Sequence, residues 1–350
     1  MRLSPVFICG PSRSGTSLMQ ASLELTGSVS IAGETHYFDN LRVELGGAAA
    51  KAIVSEDLRL KVEDYFLSLT HRPFGHNGSP AMGWMNRQSL RNKATEYGDT
   101  PDAYFRAFCE LWAARTGASI WGEKTPRHVF RIKEIVECFP NAKILFMLRD
   151  PRAVVASYRD WKNHGGFDFE KDPGHREALA EEELRASKSY HPLIVALLWR
   201  AALRSVKTAL RAFGGDRIRL VHYERLCEQP DIELKLIYDW IKVDAIPDTA
   251  SVPVRNSSYD RFSSKGGFQT SASTRWQATL SVHEIRLVQF IVGSELADSG
   301  YARLKLEGDW IRTLLLLCSS VPAAIGATRA NAGRSGNLTL YILRRLSALL

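Results

Sequence analysis

The sequence predicts an α/β protein in which helices flank a central, mostly parallel sheet, giving three layers. Three times along the chain, a short apolar run of the kind that forms a buried strand is joined to amphipathic helices. This alternation favours a parallel sheet that is covered on both faces. The 350 residues are 45% hydrophobic and 24% charged, which is typical of a globular chain with a substantial core and excludes fibrous and disordered proteins.

The individual elements follow from apolar spacing and from the turn residues between them. We expect strands where short apolar runs end at turn or charged residues, and helices where apolar residues recur every three to four positions. The predicted strands are 5–9, 143–148 and 218–222. The predicted helices are 17–25, 130–139, 153–161, about 187–213 and about 232–241. Because no internal repeat or linker interrupts the pattern, we expect residues 1–310 to form one domain.

Charge and cysteine content set limits on partners and on cofactors. The chain has 46 Lys and Arg against 38 Asp and Glu, a net charge of +8, which permits an anionic partner without requiring one. The five cysteines form no close pair and no zinc-like spacing, so neither a disulfide framework nor a structural metal is predicted. The apolar stretch Val6–Cys9 is too short for a signal peptide, and we expect a cytoplasmic protein.

Three segments lie outside the predicted elements of the core. The polar stretches 71–100 and 165–183 are long enough to be lids or acceptor-binding loops, although insertions of this length are also common without a function. Residues 311–350 contain five arginines and no acidic residue, and we expect a basic extension that is helical or partly disordered. Its apolar part is shorter than the roughly 20 residues that span a bilayer. Two alternatives remain, a helix on a membrane surface and a helix packed on the domain.

A glycine-framed loop follows the first predicted strand and opens the first predicted helix. Its residues are Gly10, Pro11, Ser12, Arg13, Ser14, Gly15, Thr16 and Ser17. The glycines allow successive N–H groups to point at one anion, and the N-terminus of the helix adds about half a positive charge. The loop therefore predicts a phosphate site, the alternative being an ordinary strand-to-helix turn.

The loop differs from a Walker A loop in the position of its cation. Thr16 follows the second glycine, where a Walker loop has the lysine that serves the β- and γ-phosphates of a magnesium nucleotide. The cation of this loop is Arg13. This difference favours a donor with fewer phosphates than ATP.

A second anion-binding pattern follows the strand predicted at 143–148. Arg149 ends this strand, and Ser157 lies two helical turns further on. Ligands of open α/β sheets collect at the carboxyl ends of the strands, where Arg149 is expected. The alternative is that Arg149 forms an ordinary ion pair with Asp150 or Glu137.

Together, the two patterns closely resemble the PAPS-dependent sulfotransferases, which move a sulfuryl group from 3'-phosphoadenosine 5'-phosphosulfate (PAPS). The resemblance implies a P-loop-like three-layer fold in which Arg13 and residues 14–17 hold the 5'-phosphosulfate. It implies that Arg149 and Ser157 hold the 3'-phosphate. Tyr223 stands in a Tyr-Glu-x-Leu segment that matches the family and would lie near the adenine.

Within that family, the chain is most similar to the tyrosylprotein sulfotransferases and their bacterial relatives, and the resemblance covers about residues 5–285. Glu34 and Lys124 stand in the motifs Gly-Glu-Thr-His and Glu-Lys-Thr-Pro, which match this group. The resemblance implies that Glu34 is the catalytic base and that Lys124 contacts the transferring group, with no metal. His36 stands where the tyrosylprotein enzymes have arginine, which leaves a protein acceptor in question.

Elementary chemistry is consistent with these roles. An acceptor hydroxyl must lose its proton as it attacks sulfur, and we expect burial to raise the pKa of Glu34 enough for that task. Charge on the departing oxygen requires fixed cations, which Lys124 and Arg13 would supply. His36 and His128 are rival bases because imidazole titrates near neutrality. His128 opens a predicted helix, where a capping or surface role is more common.

The resemblance continues, more loosely, into the last third of the chain. Residues 262–268 and 271–276 resemble the loop that closes over the nucleotide in this family, and Trp276 is expected to anchor the following helix. The acceptor implied is a hydroxyl, or less commonly an amine, of a carbohydrate, lipid, small metabolite or peptide, with no nucleic acid partner. A homodimer and peripheral membrane contact through residues 311–350 remain open.

Two other functions fit parts of the pattern. A P-loop-type nucleotide kinase would need a Walker B acidic residue at the end of a strand and magnesium-dependent binding of ATP. Neither the strand at 143–148 nor that at 218–222 ends in a lone Asp suited to this task. A non-catalytic nucleotide-binding protein would bind the nucleotide without transferring sulfate.

Overall fold

In the described part of the chain, five parallel strands form a sheet in the order β2-β3-β1-β4-β5. The computed structural model describes residues 4–71, 78–161, 180–254 and 267–335, apart from 182, 186, 189 and 309. The strands are β1 Val6–Cys9, β2 Val29–Ala32, β3 Ile120–Lys124, β4 Lys143–Leu148 and β5 Ile218–His222. Every pair of neighbouring strands is parallel, which confirms the predicted fold class.

Helices cover both faces of this sheet. Those with defined bounds are α1 Thr16–Glu24, α2 Leu41–Leu45, α3 Glu56–His71, α4 Arg87–Thr95, α5 Pro101–Ala114, α6 Ile132–Cys138, α7 Pro151–Arg159, α8 Pro192–Phe213, α9 Tyr223–Glu228, α10 Pro230–Ile241, α11 Ser271–Thr274, α12 Trp276–Thr279, α13 Val282–Val292, α14 Glu295–Asp298, α15 Ile311–Cys318 and α16 Ser320–Ser335. One face packs against α1, α9 and α10, and the other against α3, α5, α7, α8 and α13. The three predicted layers result.

Strands β1 and β4 lie side by side in the middle of the sheet and are buried almost throughout. Because both faces of these strands are covered, side chains on either face have to be apolar, as the runs Val-Phe-Ile-Cys and Ile-Leu-Phe-Met-Leu are. The register pairs Cys9 with Phe146. The loop after β1 and Arg149 after β4 therefore leave the sheet at the same edge.

Aromatic side chains fix the segment that follows β2. Tyr37 and Phe38 are buried, and their rings lie 5.0 and 5.2 Å from that of Phe105 on α5. The Tyr37 hydroxyl donates to Asp102 Oδ1 at 2.7 Å. Burying a large apolar side chain stabilises the fold by roughly 1.5 to 3 kcal/mol. The short connection that carries Glu34 is thus anchored at its far end.

The structure agrees with the predicted strands and shifts some helix boundaries. Strands β4 and β5 have the predicted bounds. The predicted helix at 130–139 is instead a 3₁₀ segment, Pro126–Arg131, followed by α6. The long helix begins at Pro192 because His191 caps it, with Nδ1 accepting from the Leu193 N–H at 3.2 Å. Strands β2 and β3 and helices α3 to α5 lie outside the predicted elements.

The polar stretch at 71–100, for which a lid was one possibility, contains a packed helix. Helix α4 packs on α5, and its side chains Leu90 and Ala94 are buried. Residues 72–77, and the part of the second polar stretch at 165–179, lie outside the described residues.

Helices α15 and α16 form the described part of the C-terminal segment. The stretch Ile311–Ala330, 20 residues long, has the length and hydropathy of a helix that could cross a membrane. The expectation that the apolar part falls short of this length is wrong, because the Ala- and Gly-containing part of α16 extends the apolar stretch to 20 residues. That residues 311–350 form an extension separate from the domain stays a prediction.

Candidate active site

The carboxyl ends of the five described strands lie at one edge of the sheet, and the predicted site residues lie there with them. They are the loop 10–17 after β1, Glu34 after β2, Lys124 at the end of β3, Arg149 after β4 and Tyr223 after β5. In open α/β sheets this edge is where ligands bind. The structure therefore brings together residues from five separate segments of the chain.

The loop after β1 has the backbone of an anion-binding turn. Gly10 has φ 140°, and a Cβ at this position would overlap the carbonyl oxygen of Met147. Gly15 has φ 90° and is the left-handed residue that precedes α1, with no side chain to cap the helix. The first N–H groups of a helix have no partner within it. They are thus available to an anion, as the sequence predicts.

Arg13 connects this loop to α7. Its backbone is left-handed, with φ 70°, which costs an L-residue roughly 1 to 2 kcal/mol. Its side chain has compensating contacts, since Nε donates to Ser157 Oγ at 3.2 Å and the guanidinium lies 5.2 Å from the centre of the Trp161 ring. Ser157 therefore faces the phosphate loop, although it lies two turns along α7.

Arg149 bridges the phosphate loop and α11. Its side chain is buried, Nη1 donates to the carbonyl oxygen of Arg13 at 2.9 Å, and Nη2 donates to that of Ala272 at 2.7 Å. Its guanidinium lies 4.3 Å from the centre of the Tyr223 ring. Among the described residues, Arg149 Nε has no hydrogen-bond partner. The two predicted anion sites, around Arg13 and around Arg149, are therefore in direct contact.

The ion pairs that the sequence leaves open for Arg149 are formed by other residues. Asp150 pairs with Arg152 at 2.6 Å, and Glu137 lies 3.9 Å from Lys133. Arg149 instead binds neutral carbonyl oxygens. Bonds from a guanidinium to a phosphate are stronger than those to a neutral acceptor, so an arriving phosphate can replace them.

Tyr223 begins α9 and packs against the phosphate loop. A Cβ on Gly15 would lie 2.5 Å from Tyr223 Cδ2, so the ring fits only against glycine. The next residue, Glu224, accepts from the Asp150 N–H at 2.9 Å and from the Tyr301 hydroxyl at 3.0 Å. Burial raises the pKa of Glu224. This carboxyl ties the segment after β5 to the segment after β4.

Glu34 and Lys124 form a buried ion pair. Glu34 Oε1 lies 2.6 Å from Lys124 Nζ, and Oε2 lies 3.4 Å from His36 Nε2. The side chain of Lys124 is 5% exposed and that of Glu34 is 18% exposed. The two predicted catalytic residues thus touch, and the carboxylate lies between two cationic groups.

The charge states of this group differ from the sequence expectation. Burial raises the pKa of Glu34, but Lys124 and His36 outweigh burial and lower it to about 2. Burial lowers the pKa of His36, but Asp39 and Glu34 outweigh burial and raise it to about 9. The expected rise in the pKa of Glu34 is wrong, because its partners dominate. His36 is an imidazolium near neutral pH and has no lone pair to accept a proton.

Glu123 holds the loop of Glu34 from behind. Its Oε1 accepts from the Thr35 N–H at 3.0 Å and from the Thr35 hydroxyl at 2.9 Å. Its Oε2 lies 2.9 Å from His128 Nδ1. The expected capping or surface role of His128 is wrong, since its side chain is 1% exposed and lies behind the loop.

Asp39 orients the imidazolium of His36. Its Oδ1 lies 3.4 Å from His36 Nδ1 and 3.6 Å from His128 Nε2, and its Oδ2 lies 2.9 Å from Arg127 Nε. These partners hold the pKa of the buried Asp39 carboxyl well below its usual range, against the effect of burial. His36 has a left-handed backbone, with φ 52°. The imidazolium is thus fixed between two carboxylates.

A cleft of about 130 Å³ opens beside Glu34 and the start of the phosphate loop. The apolar part of its lining includes Val129, Phe130, Val154, Val195, Leu198 and Trp199. Its polar part includes Glu34, His36 and Arg127. A hydroxyl bound at Glu34 would therefore have apolar and aromatic neighbours.

A sequence model of the sulfotransferase family matches residues 5–248 of the 350. The chain belongs to the sulfotransferase family. Protein-tyrosine sulfotransferase from Drosophila melanogaster is 25% identical over 244 residues, which are 68% of this chain and 38% of that protein. Nodulation protein NoeE from Sinorhizobium fredii (strain NBRC 101917 / NGR234) is 24% identical over 201 residues, which are 54% of this chain and 46% of that protein. The match thus spans less than half the length of either relative.

A solved structure, the sulfotransferase domain from the curacin biosynthetic pathway, aligns with 87% of this chain and 100% of its own. Its sequence is 16% identical and the TM-score is 0.49. The family expected from the loop 10–17 and from Arg149 is confirmed by the family match.

The late segment of the chain is described only in part, because residues 262–266 lie outside the described residues. Helix α11 contacts Arg149 through the carbonyl of Ala272. Trp276 is buried, as expected of an anchor, with the Arg152 guanidinium 4.1 Å from its ring centre. No cluster of His, Cys, Asp or Glu suited to a metal occurs in the described ranges.

Three carboxylates that position the predicted residues were not predicted from the sequence: Glu123, Asp39 and Glu224. Glu123 carried a usable signal, since a carboxylate within the short stretch Ile120–Lys124 would have to be paired if that stretch were a buried strand. Asp39 and Glu224 carried no comparable signal, because their partners come from distant parts of the sequence.

Proposed function

We propose that the protein transfers a sulfuryl group from PAPS to a hydroxyl, or less commonly an amine, by direct in-line displacement without a metal. The observation that carries this proposal is the direct contact between the Arg13 loop and Arg149, next to the Glu34–Lys124 pair. PAPS needs two anion sites, one at each end of its adenosine bisphosphate part, and its sulfuryl group needs a carboxylate and a cation beside it.

The residues divide the donor between them. Arg13 and the N–H groups of residues 14–17 would bind the 5' end, where the helix N-terminus favours an anion. Arg149 and Ser157 would bind the 3'-phosphate, and Tyr223 would lie near the adenine. The contacts Arg13–Ser157 and Arg149–Tyr223 support one continuous site for these groups.

The transfer itself needs a proton acceptor and a cation at the leaving oxygen. As the acceptor oxygen bonds to sulfur and the bond from sulfur to the nucleotide breaks, the acceptor proton would pass to Glu34. Lys124 and Arg13 would stabilise the charge that collects on the departing oxygen; one such donor is typically worth about 3 to 4 kcal/mol.

Lys124 would have to change partners for this step. While it contacts Glu34 at 2.6 Å, the pKa of Glu34 is about 2, and a carboxylate this acidic is a weak base. When Lys124 turns to the sulfuryl group, one of the two groups that lower the pKa of Glu34 is withdrawn, so the pKa rises. Proton removal is thereby coupled to the presence of the donor.

The acceptor would carry an apolar or aromatic group beside the reacting hydroxyl. The apolar lining of the cleft next to Glu34 supports this class, which includes phenols, hydroxylated lipids and aromatic side chains of peptides. The cytoplasmic location, the domain boundary at residue 310 and a homodimer stay predictions from the sequence.

The test compares donor binding with turnover in Glu34→Gln. Calorimetry with PAP, the bisphosphate product, should give an unchanged dissociation constant, whereas sulfate transfer to a panel of phenols and alcohols should fall at least a hundredfold. Glu44→Gln is the matched control, because Glu44 is an exposed surface carboxylate paired with Lys61. Full turnover by Glu34→Gln would show that another residue is the base.

The same assays separate the two other functions. A kinase would bind ATP in a magnesium-dependent manner; the presence of Thr16 in place of the Walker lysine argues against it. A non-catalytic nucleotide-binding protein would bind PAP and transfer no sulfate to any acceptor of the panel. Failure of the wild-type protein to bind PAP would refute the proposal.

A further inference from the structure

Helices α15 and α16 present an apolar surface to solvent. Ile311, Leu314, Leu315, Val321 and Ile325 are each at least half exposed. We call these five side chains, together with the neighbouring Trp310 and Phe290, the apolar face. Trp310 and Phe290 are also at least half exposed, and their rings are in edge contact at 6.1 Å. An exposed apolar surface made of seven large side chains usually marks a binding surface.

The opposite side of α15 is attached to the domain, and α16 contacts α8. Thr313 is buried and accepts from Arg286 Nη1 of α13 at 3.4 Å. His191, at the start of α8, has Nε2 3.1 Å from the carbonyl oxygen of Leu316 and 3.0 Å from Ser319 Oγ. The helices therefore lie along the domain, and their apolar face is directed outward.

The charged residues that follow Trp310 have one sign, whereas Glu307 and Asp309 come just before it. Residues 311–350 contain five arginines and no acidic residue; of these arginines, Arg312 and Arg329 are described and exposed. Arg286 lies 5.2 Å from the centre of the Trp310 ring. Tryptophan and arginine beside an apolar surface are the residues that favour the interface of an anionic membrane.

We propose that the apolar face docks the protein on an anionic lipid bilayer, with α15 and α16 lying in the plane of the interface. A spanning arrangement would require Ile311–Ala330 to leave α13 and His191, which hold it along the domain. A second copy of the chain is disfavoured, because pairing two such faces would bring together arginines of both copies with no acidic residue among residues 311–350.

The docking surface lies close to the cleft. Helix α8 starts directly after His191, and Val195, Leu198 and Trp199 of the same helix line the cleft. Seven residues of helix, from 191 to 198, correspond to roughly 10 Å. This arrangement would favour acceptors that reside in or at the membrane. Only this inference about the acceptor rests on the proposed function.

The experiment measures flotation of the purified full-length protein with vesicles. The wild-type protein should float with vesicles of phosphatidylcholine and about 30% phosphatidylserine, and bind at least tenfold less to phosphatidylcholine alone. The variant Leu315→Asp/Ile325→Asp should lose at least tenfold in binding. Ile53→Asp/Ile246→Asp is the matched control, since it places the same charges on exposed isoleucines outside the apolar face, and should bind like the wild type.

Four outcomes would overturn the proposal. They are absence of wild-type flotation, equal binding to both vesicle types, equal loss in the control variant, and resistance of the bound protein to alkaline extraction, which indicates a spanning helix. Dimerisation that Leu315→Asp abolishes, without flotation of the wild type, would identify a second copy as the occupant.

Binding of PAP and the urea unfolding midpoint show whether each variant is folded. An unfolded Leu315→Asp/Ile325→Asp protein is replaced by Leu315→Ser/Ile325→Ser, for which the same loss is expected. PAP binding also separates the two proposals, because vesicle binding can succeed in a protein that binds no PAP.

Discussion

The charge on His36 can be tested through stability, without knowledge of the acceptor. In the variant His36→Asn, the side chain cannot carry a charge, and asparagine tolerates the left-handed backbone found at this position. The wild-type imidazolium lies between the carboxylates of Asp39 and Glu34. We expect the wild-type protein to lose stability at high pH that the variant does not lose.

The magnitude follows from the pKa of His36, which burial lowers but Asp39 and Glu34 raise from 6.5 to about 9. At about 1.4 kcal/mol per pKa unit, this rise corresponds to roughly 3 kcal/mol of stability. Because the folded pKa lies above the unfolded one, this stability is fully present below about pH 6.5 and is lost as pH rises through about 9. Most of it remains at pH 7, and almost none at pH 10.

The assay is urea unfolding of both proteins at about pH 7 and about pH 10. The readout is how much more unfolding free energy the wild type loses between the two pH values than the variant does. The wild type should lose about 2 to 3 kcal/mol more than His36→Asn. Buried thiols such as Cys9 and Cys109, whose pKa burial raises, also reduce stability at high pH, but they do so equally in both proteins. Equal losses would refute the assignment of an imidazolium to His36.

Three further predictions concern the nucleotide site and are measured by PAP calorimetry and urea unfolding. Arg149→Met should weaken PAP binding by about 10²-fold, because it removes a charge-assisted pair, and an unchanged dissociation constant would exclude Arg149 from the site. Ser157→Ala should weaken PAP binding by about fivefold, the value of roughly one hydrogen bond, since Ser157 contacts Arg13; a loss as large as that of Arg149→Met would contradict this. Gly15→Ala should destabilise the fold by at least about 2 kcal/mol and weaken PAP binding, because its Cβ would meet Tyr223 at a φ of 90°; wild-type stability and affinity would show that the ring is not held there.

The arrangement of the proposed nucleotide-binding residues could be predicted from the sequence, because its signals are local. The loop 10–17 and Arg149 each directly follow an apolar strand, and strand, loop and helix are adjacent in sequence. The contact between Arg13 and Ser157 follows from the two-turn spacing once α7 is known to run beside the loop. Such features depend on neighbouring residues and therefore remain readable in one chain.

For the proposed catalytic half, the sequence indicates the residues Glu34 and Lys124, whose roles stay predictions, but not their electrostatics. Strands β2 and β3 carry Glu34 and Lys124 to the site. Neither strand is recognisable from the sequence, because β2 has only four residues and β3 ends in two charged residues, Glu-Lys. Burial of Glu34 could be anticipated from its role, whereas its two cationic partners depend on a fold that brings residues 34, 36 and 124 together. The direction of the pKa is decided by those partners, so composition and spacing could not give it.

The bond from Arg149 to the carbonyl of Ala272 has a consequence for the rate of turnover. A phosphate bound by this guanidinium would compete with the Ala272 carbonyl oxygen of α11 for it. Donor binding would therefore release α11 from Arg149, and nucleotide release would allow the bond to re-form. Exit of the spent nucleotide and re-seating of α11 would then be a single event. An arginine that selects the donor would thereby also govern how quickly the next one can enter.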